Sequence, residues 1–227
     1  MKTSKFILLA ATLLVCGCSS SNSPTAEGDA TVETQQGTFD GEINGHPYVD
    51  LGLSVVWSPL NMNAECPEEL GKYVAWGETD TAKVEFSPEN CTTFNKSYAR
   101  EMQGNIDHDV ARNLWRHTWR LPTTAEVEEL LTLCRWTNDT INGQIGYTVE
   151  GPSGKTIFLP AGGFKSVAAE APDSCSGLGY YWTGTHTKGR AEKQKAFAWN
   201  FNTNDTLKAV VEIERFHGLL VRPVAKN

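Results

Sequence analysis

The chain has 227 residues, with 27 acidic against 20 basic side chains, a formal net charge of −7 and a pI near 5.3. An acidic balance of this size argues against nucleic acid as a partner. Lys2 and Lys5 lead into an apolar run over residues 6–15 that is too short to span a bilayer as a mature helix, so residues 1–17 read as a signal peptide.

That run ends in Val15-Cys16-Gly17-Cys18, an aliphatic residue at −3 and a glycine at −1 from Cys18, which resembles the lipobox of bacterial lipoproteins. The resemblance implies lipidation at Cys18 and an outer-membrane lipid anchor. Residues 19–26 carry no acid directly after that cysteine, which favours the periplasmic face over the cell surface. Residues 18–45 are rich in Ser, Thr, Gly, Gln and acid and nearly free of large apolar side chains, the composition of a flexible tether. Residues 46–227 suffice for one domain with a sizeable core.

Cys66, Cys91, Cys134 and Cys175 remain beyond the anchor, an even number in a disulfide-permissive compartment. Two bridges are expected, with three connectivities open. Alternatively Cys134 is a small buried hydrophobe. No two of the four stand at Cys-x-x-Cys spacing, so a zinc site is not indicated.

Taken in order, residues 46–57 (HPYVDLGLSVVW) read as a strand pair or a strand bent at Gly52. Residues 67–71 form at most one helical turn stopped by Gly71. A short helix is predicted within 106–115, begun by Asp107 or Asp109, with Val110 and Leu114 on its inner face. The clearest signal is WRLPTTAEVEELLTLC at 119–134. Thr123 and Glu126 make a Thr-x-x-Glu capping box, so a helix begins at Thr124, and Val127, Leu130, Leu131 and Cys134 form its apolar stripe. Strands are predicted at 147–149 and 156–159 around a turn at 151–154, then at 180–185. Phe197, Trp199 and Phe201 alternate with smaller or polar residues as a half-buried strand does; 202–205 turn, and 207–213 and 218–224 complete the series. Helices in the first half and strands in the second predict an α+β fold whose terminal strands can pair.

Eight segments resemble the Fibrobacter succinogenes major paralogous domain of gut-bacterial lipoproteins, in family order: YVDLGLSVVW (48–57), PEELGKYVAWGET (67–79), HDVARNLW (108–115), WRLPTTAEVEEL (119–130), CRWT (134–137), GYTVEGPSGKTIFLPAGG (146–163), GYYWTGT (179–185) and GLLVRPV (218–224). Arg116-His117-Thr118 departs from the family's small residues and points to a local loop change. The capped helix followed by a final Gly-x-x-Val-Arg strand is also similar, more distantly, to C-type-lectin-like domains, including formylglycine-generating enzymes. That likeness implies two main helices packed on antiparallel strands, with the N- and C-terminal strands paired.

The chemistry of those relatives is not carried over. Formylglycine-generating chemistry needs a cysteine pair near the C-terminus, and no cysteine follows Cys175, so the domain is read as no enzyme. The five histidines lie apart, the Glu-Pro-Asn and Trp-Asn-Asp motifs of calcium lectins are absent, and no metal or cofactor is expected. Asn202 and Asp205, with Asn200 and Asn204, offer oxygen ligands or simply close a turn. Of seven tryptophans, Trp136 beside Asn138 is read as lying in a loop and exposed. Thr81, Thr140 and Thr206 each follow an aspartate in Asp-Thr-aliphatic or Asp-Thr-Ala triplets that resemble O-glycosylation sites of exported proteins; turn chemistry is the competing explanation. The expectation is a lipid-anchored, non-enzymatic domain that binds an extracellular or periplasmic glycan or protein, with a structural subunit of an envelope assembly as the alternative.

Overall fold

Two Asn-Gly pairs, at 44–45 and 142–143, put successive residues at φ 53° and 77° and at φ 48° and 84°. This is the tight turn whose twist suits paired antiparallel strands. The computed structural model describes residues 39–167, 177–189 and 192–226. In it the elements run β1 (Gly41–Ile43), β2 (His46–Tyr48), β3 (Val56–Trp57), α1 (Val110–Trp115), α2 (Thr124–Leu133), β4 (Arg135–Ile141), β5 (Gln144–Glu150), β6 (Thr156–Pro160), β7 (Leu178–His186), β8 (Lys195–Asn202), β9 (Lys208–Glu214) and β10 (Val224–Ala225). The first Asn-Gly pair joins β1 to β2, and the second joins β4 to β5. β1 falls within the stretch whose composition reads as tether.

The described chain is mainly β. Its sheets are all antiparallel: β1-β2, β3-β10, β4-β5-β6 and β7-β8-β9. This overturns the expected α+β, C-type-lectin-like domain built on two main helices, since the helices are only six and ten residues long. The physical reason lies at their ends. α1 stops where Arg116 takes φ 63°, ψ −159° and His117 follows at φ 48°, and α2 stops where the Asn142-Gly143 turn commits residues 135–141 to pair with β5. β10 pairs with β3, Val224 opposite Trp57 and Ala225 opposite Val56.

Both helices begin on side-chain caps. Asp109 accepts from the Arg112 amide, and Thr123 and Glu126 complete the reciprocal capping box. Glu126 also takes a two-pronged bond from Arg120, at 2.6 and 2.8 Å. Burial pushes the Glu126 carboxyl up, but Arg120 and Thr123 outweigh it and leave it below its ordinary value. Val127 and Leu130 face the core, whereas Leu131 and Cys134 are only half-buried. On α1, Val110, Ala111 and Trp115 are buried and Leu114 is 43 % exposed, so Trp115 holds the inner position expected of Leu114.

The buried residues form two large clusters. One gathers Trp76, Trp119 and Trp182; the other gathers Trp57, Tyr181, Trp199 and Phe201 with Val127 and Leu130 of α2. The segment 218–225 is the wall between them. Leu219, Val221 and Ala225 point into the first cluster, and Leu220 and Val224 into the second, the alternation of an extended chain covered on both faces. The strand pattern of β8 has the same origin, with Ala198 in the first cluster and Trp199 and Phe201 in the second.

Cys91 packs beside Ala75 and Phe86, and Cys134 is half-buried with its thiol pushed up to about 11 by burial. Both carry free thiols, so the expected pair of bridges is not formed through these two. Cys175 lies outside the described residues, as does Cys18. Among the described residues no helix is long and apolar enough to cross a membrane.

Candidate functional site

Residues marked in the sequence converge where β4 and β5 meet the turn that joins β8 to β9. Trp136 is on β4 rather than in a loop, and it is half-buried rather than exposed. Its indole nitrogen donates to the Leu130 carbonyl, and its ring meets Tyr147 edge-on at 5.4 Å and Phe201 at 5.8 Å. The Lys208 ammonium lies 5.6 Å from the Trp136 ring centre and 5.1 Å from that of Tyr147. Asn138 donates to the Thr203 carbonyl, and the Tyr147 hydroxyl lies 3.1 Å from the Asn202 carbonyl oxygen.

The polar groups there are occupied in closing the turn between β8 and β9. The Asn202 amide donates to Asp205 Oδ2 at 2.8 Å, and Asp205 Oδ1 accepts from the Leu207 amide. Trp136 therefore acts as packing. Trp136→Ala is expected to cost about 2 kcal/mol of stability, below the ~3–5 kcal/mol of a fully buried ring because this one is half-buried. Urea denaturation measures it, and a loss below about 0.5 kcal/mol, the range of ordinary surface substitutions, would contradict the packing role.

Thr140 and Thr206 are exposed and Thr81 is half-buried. The aspartates before Thr81 and Thr206 accept from the amides two residues on, Asp80 from Ala82 and Asp205 from Leu207, as turn residues do. Asp139 instead accepts from the Thr140 amide and from the Thr148 hydroxyl.

A second region was not singled out as a site in the sequence. It is an open cleft of about 360 Å³ bordered by Glu78, Asp80, Lys83, Thr92, Asp107 and His108. Glu78, 8 % exposed, is held on both oxygens: Oε1 accepts from the Thr92 amide and hydroxyl, and Oε2 pairs with Lys83 Nζ at 2.6 Å. Lys83 donates as well to the Asn90 carbonyl at 2.6 Å. His108 Nδ1 is 3.0 Å from the Gly77 carbonyl, which can only accept, so Nδ1 carries a proton and donates. The His108 ring also meets Tyr98 edge-on at 5.1 Å.

Behind the cleft stands Arg215, fully buried, its guanidinium 4.3 Å from the centre of the Trp76 ring and 5.5 Å from that of Tyr98. It donates to the carbonyls of Thr93, Lys96, Glu192 and Lys195. Thr93 in turn donates its hydroxyl to the Trp76 carbonyl. The loop 76–80 and the loop 90–96 are thus fastened to each other and to the end of β8, and the cleft has a rigid floor.

Two of the family-like segments, 67–79 and 108–115, supply Glu78, His108 and Asp109 to this region. Lys83, Asn90 and Arg215 came with no local signal, because their partners lie in other loops. Among the described residues no group of three or more His, Cys, Asp or Glu side chains is placed to hold a metal ion. No family model, curated protein or solved structure matches the chain.

Proposed function

We propose that the protein is a membrane-anchored lipoprotein, acylated at Cys18 and held at the periplasmic face of the outer membrane. Its β domain binds a glycan or protein in the Glu78 cleft without turnover. The observation that carries this reading is the preorganisation of the cleft: a concave polar surface with Asp107 and His108 on one wall and a floor fixed by Arg215. Glu78 is saturated by Thr92 and Lys83 and serves to position the loops rather than to transfer a proton. The resemblance to the Fibrobacter succinogenes major paralogous domain supports an envelope lipoprotein on independent grounds.

The test is calorimetric titration of the full-length protein in detergent with neutral, acidic and amino oligosaccharides and with envelope peptides. One class is expected to bind, to survive EDTA, and to lose at least about tenfold in affinity, some 1.4 kcal/mol, when Asp107 and His108 are both replaced by alanine. Binding that chelation abolishes and calcium restores would defeat the metal-free reading, and binding indifferent to the double substitution would move the site elsewhere. The anchor is tested by fatty-acid labelling, which Cys18→Ala should abolish.

A further inference from the structure

β4 is the outer strand of its sheet. Among the described elements only β5 pairs with it, and no other helix or strand runs along its far side. The strand has seven residues and carries no proline, lysine or register shift, devices that commonly close such an edge. Arg135, Thr137, Asn138 and Thr140 are exposed. β9, the outer strand of the other three-stranded sheet, differs: α2 packs against it, Lys208 lies over Trp136 and Tyr147, and Glu214 is engaged by Lys195 and His217.

The register fixes which backbone groups β4 presents. The two-residue turn at 142–143 makes Ile141 and Gln144 a bonded pair, and bonded pairs recur at every second residue. In agreement, the Ala161 amide donates to the Ile145 carbonyl, so Ile145 is turned towards β6 and Thr140 opposite it is turned away from β5. Trp136 and Asn138 share the phase of Thr140. The amides and carbonyls of these three residues therefore point out of the sheet edge, and of them the Thr140 amide is held by Asp139 Oδ1 at 2.7 Å.

This phase limits how an antiparallel copy of the same strand can add to the edge. A pairing centred on Asn138 would set Thr140 against Trp136 and require the amide that Asp139 holds. A pairing centred on Thr137 leaves that amide out and sets Trp136 against Asn138 of the second copy, bonds that the two-fold axis repeats. The same register brings Arg135 opposite Asp139 of the second copy, also twice, on the face that both residues share. The Arg135 side chain is 71 % exposed and meets only Glu150, a cross-strand contact within its own sheet. Opposite charges directly across antiparallel strands favour their pairing.

We propose that β4 is a homodimerisation edge, at which two copies pair antiparallel about Thr137, with Trp136 against Asn138 and Arg135 against Asp139, joining two three-stranded sheets into one of six. The occupant is a second copy because the strand is complementary in charge to itself, in the register that its outward backbone groups favour. The inference rests on neither the lipid anchor nor the Glu78 cleft.

The experiment is sedimentation equilibrium of the full-length protein in density-matched detergent over a series of protein concentrations. A reversible monomer–dimer equilibrium that salt weakens is expected. Asn138→Pro removes an outward amide that the β4–β5 ladder does not use, so it should give a monomer with an unchanged far-UV spectrum. Should that variant fail to fold, Arg135→Glu and Asp139→Arg are each expected to weaken the dimer about tenfold, and the two combined to restore it. Thr137 faces itself across the axis, so Thr137→Cys should give a disulfide-linked dimer on mild oxidation. Thr206→Cys, in the exposed turn between β8 and β9, should not. A protein that stays monomeric at every concentration overturns the proposal. So does a dimer that the charge reversals leave unmoved, or cross-linking through Asn138→Cys in place of Thr137→Cys.

Discussion

Arg215→Ala is expected to lower the folding free energy by about 4 kcal/mol, at the upper end for a single side chain. The guanidinium serves four backbone carbonyls, of Thr93, Lys96, Glu192 and Lys195, while lying over two aromatic faces. Truncation would leave those carbonyls without their donor, at about 1–3 kcal/mol for each that stays dry, and open a void between Trp76 and Tyr98. Arg215→Lys should recover only part of the loss, since an ammonium on a flexible stem cannot span the same fork. Urea denaturation with far-UV detection measures both variants. A loss under about 1 kcal/mol for Arg215→Ala would mean that the loops 76–80 and 90–96 hold together by other means, and the rigid cleft floor would go with it.

Gly71→Ala is expected to cost about 3 kcal/mol, for two reasons that act at the same atom. Gly71 sits at φ 70°, where an L side chain is strained, and a methyl there would come within 2.2 Å of the Met62 carbonyl oxygen. That oxygen cannot retreat easily. It accepts from the Lys72 amide at 3.0 Å, while the Met62 amide donates to Val221 in the wall between the two cores. The same denaturation experiment decides the matter: a variant within about 0.5 kcal/mol of wild type would show the 62–72 loop to be far softer than these bonds imply.

How much of this could be read from the residues depended on how local the cause was. The start of α2 was legible because a capping box is written within four residues, and the structure has both of its hydrogen bonds. The hairpin around 151–154 was legible for a like reason, glycine and proline between two apolar runs. The strand at 135–141 was not, because Arg135, Thr137 and Asn138 look like loop and only the Asn142-Gly143 turn, itself a local signal that was available, commits them to pairing. The half-buried reading of 197–201 missed that Ala198 faces one core and Trp199 the other, which no alternation within a single strand can reveal. The cleft was least legible of all: Glu78 meets Thr92 across 14 positions, His108 meets Gly77 across 31, and Arg215 reaches Thr93 across 122. Such contacts follow from topology.

The wall formed by residues 218–225 also bears on how the protein is made. No other described element emerges from the ribosome after it, yet Leu219, Leu220, Val221, Val224 and Ala225 are all fully shielded from solvent. Neither hydrophobic cluster can close until that segment has been inserted between them, and the pairings it makes, Val74 with Leu219, Arg120 with Val224 and Trp57 with Val224, join residues more than a hundred positions apart. Contacts this distant are slow to form. A chain truncated before residue 218 is therefore expected to lack a stable tertiary state, because both clusters would lose the wall they share.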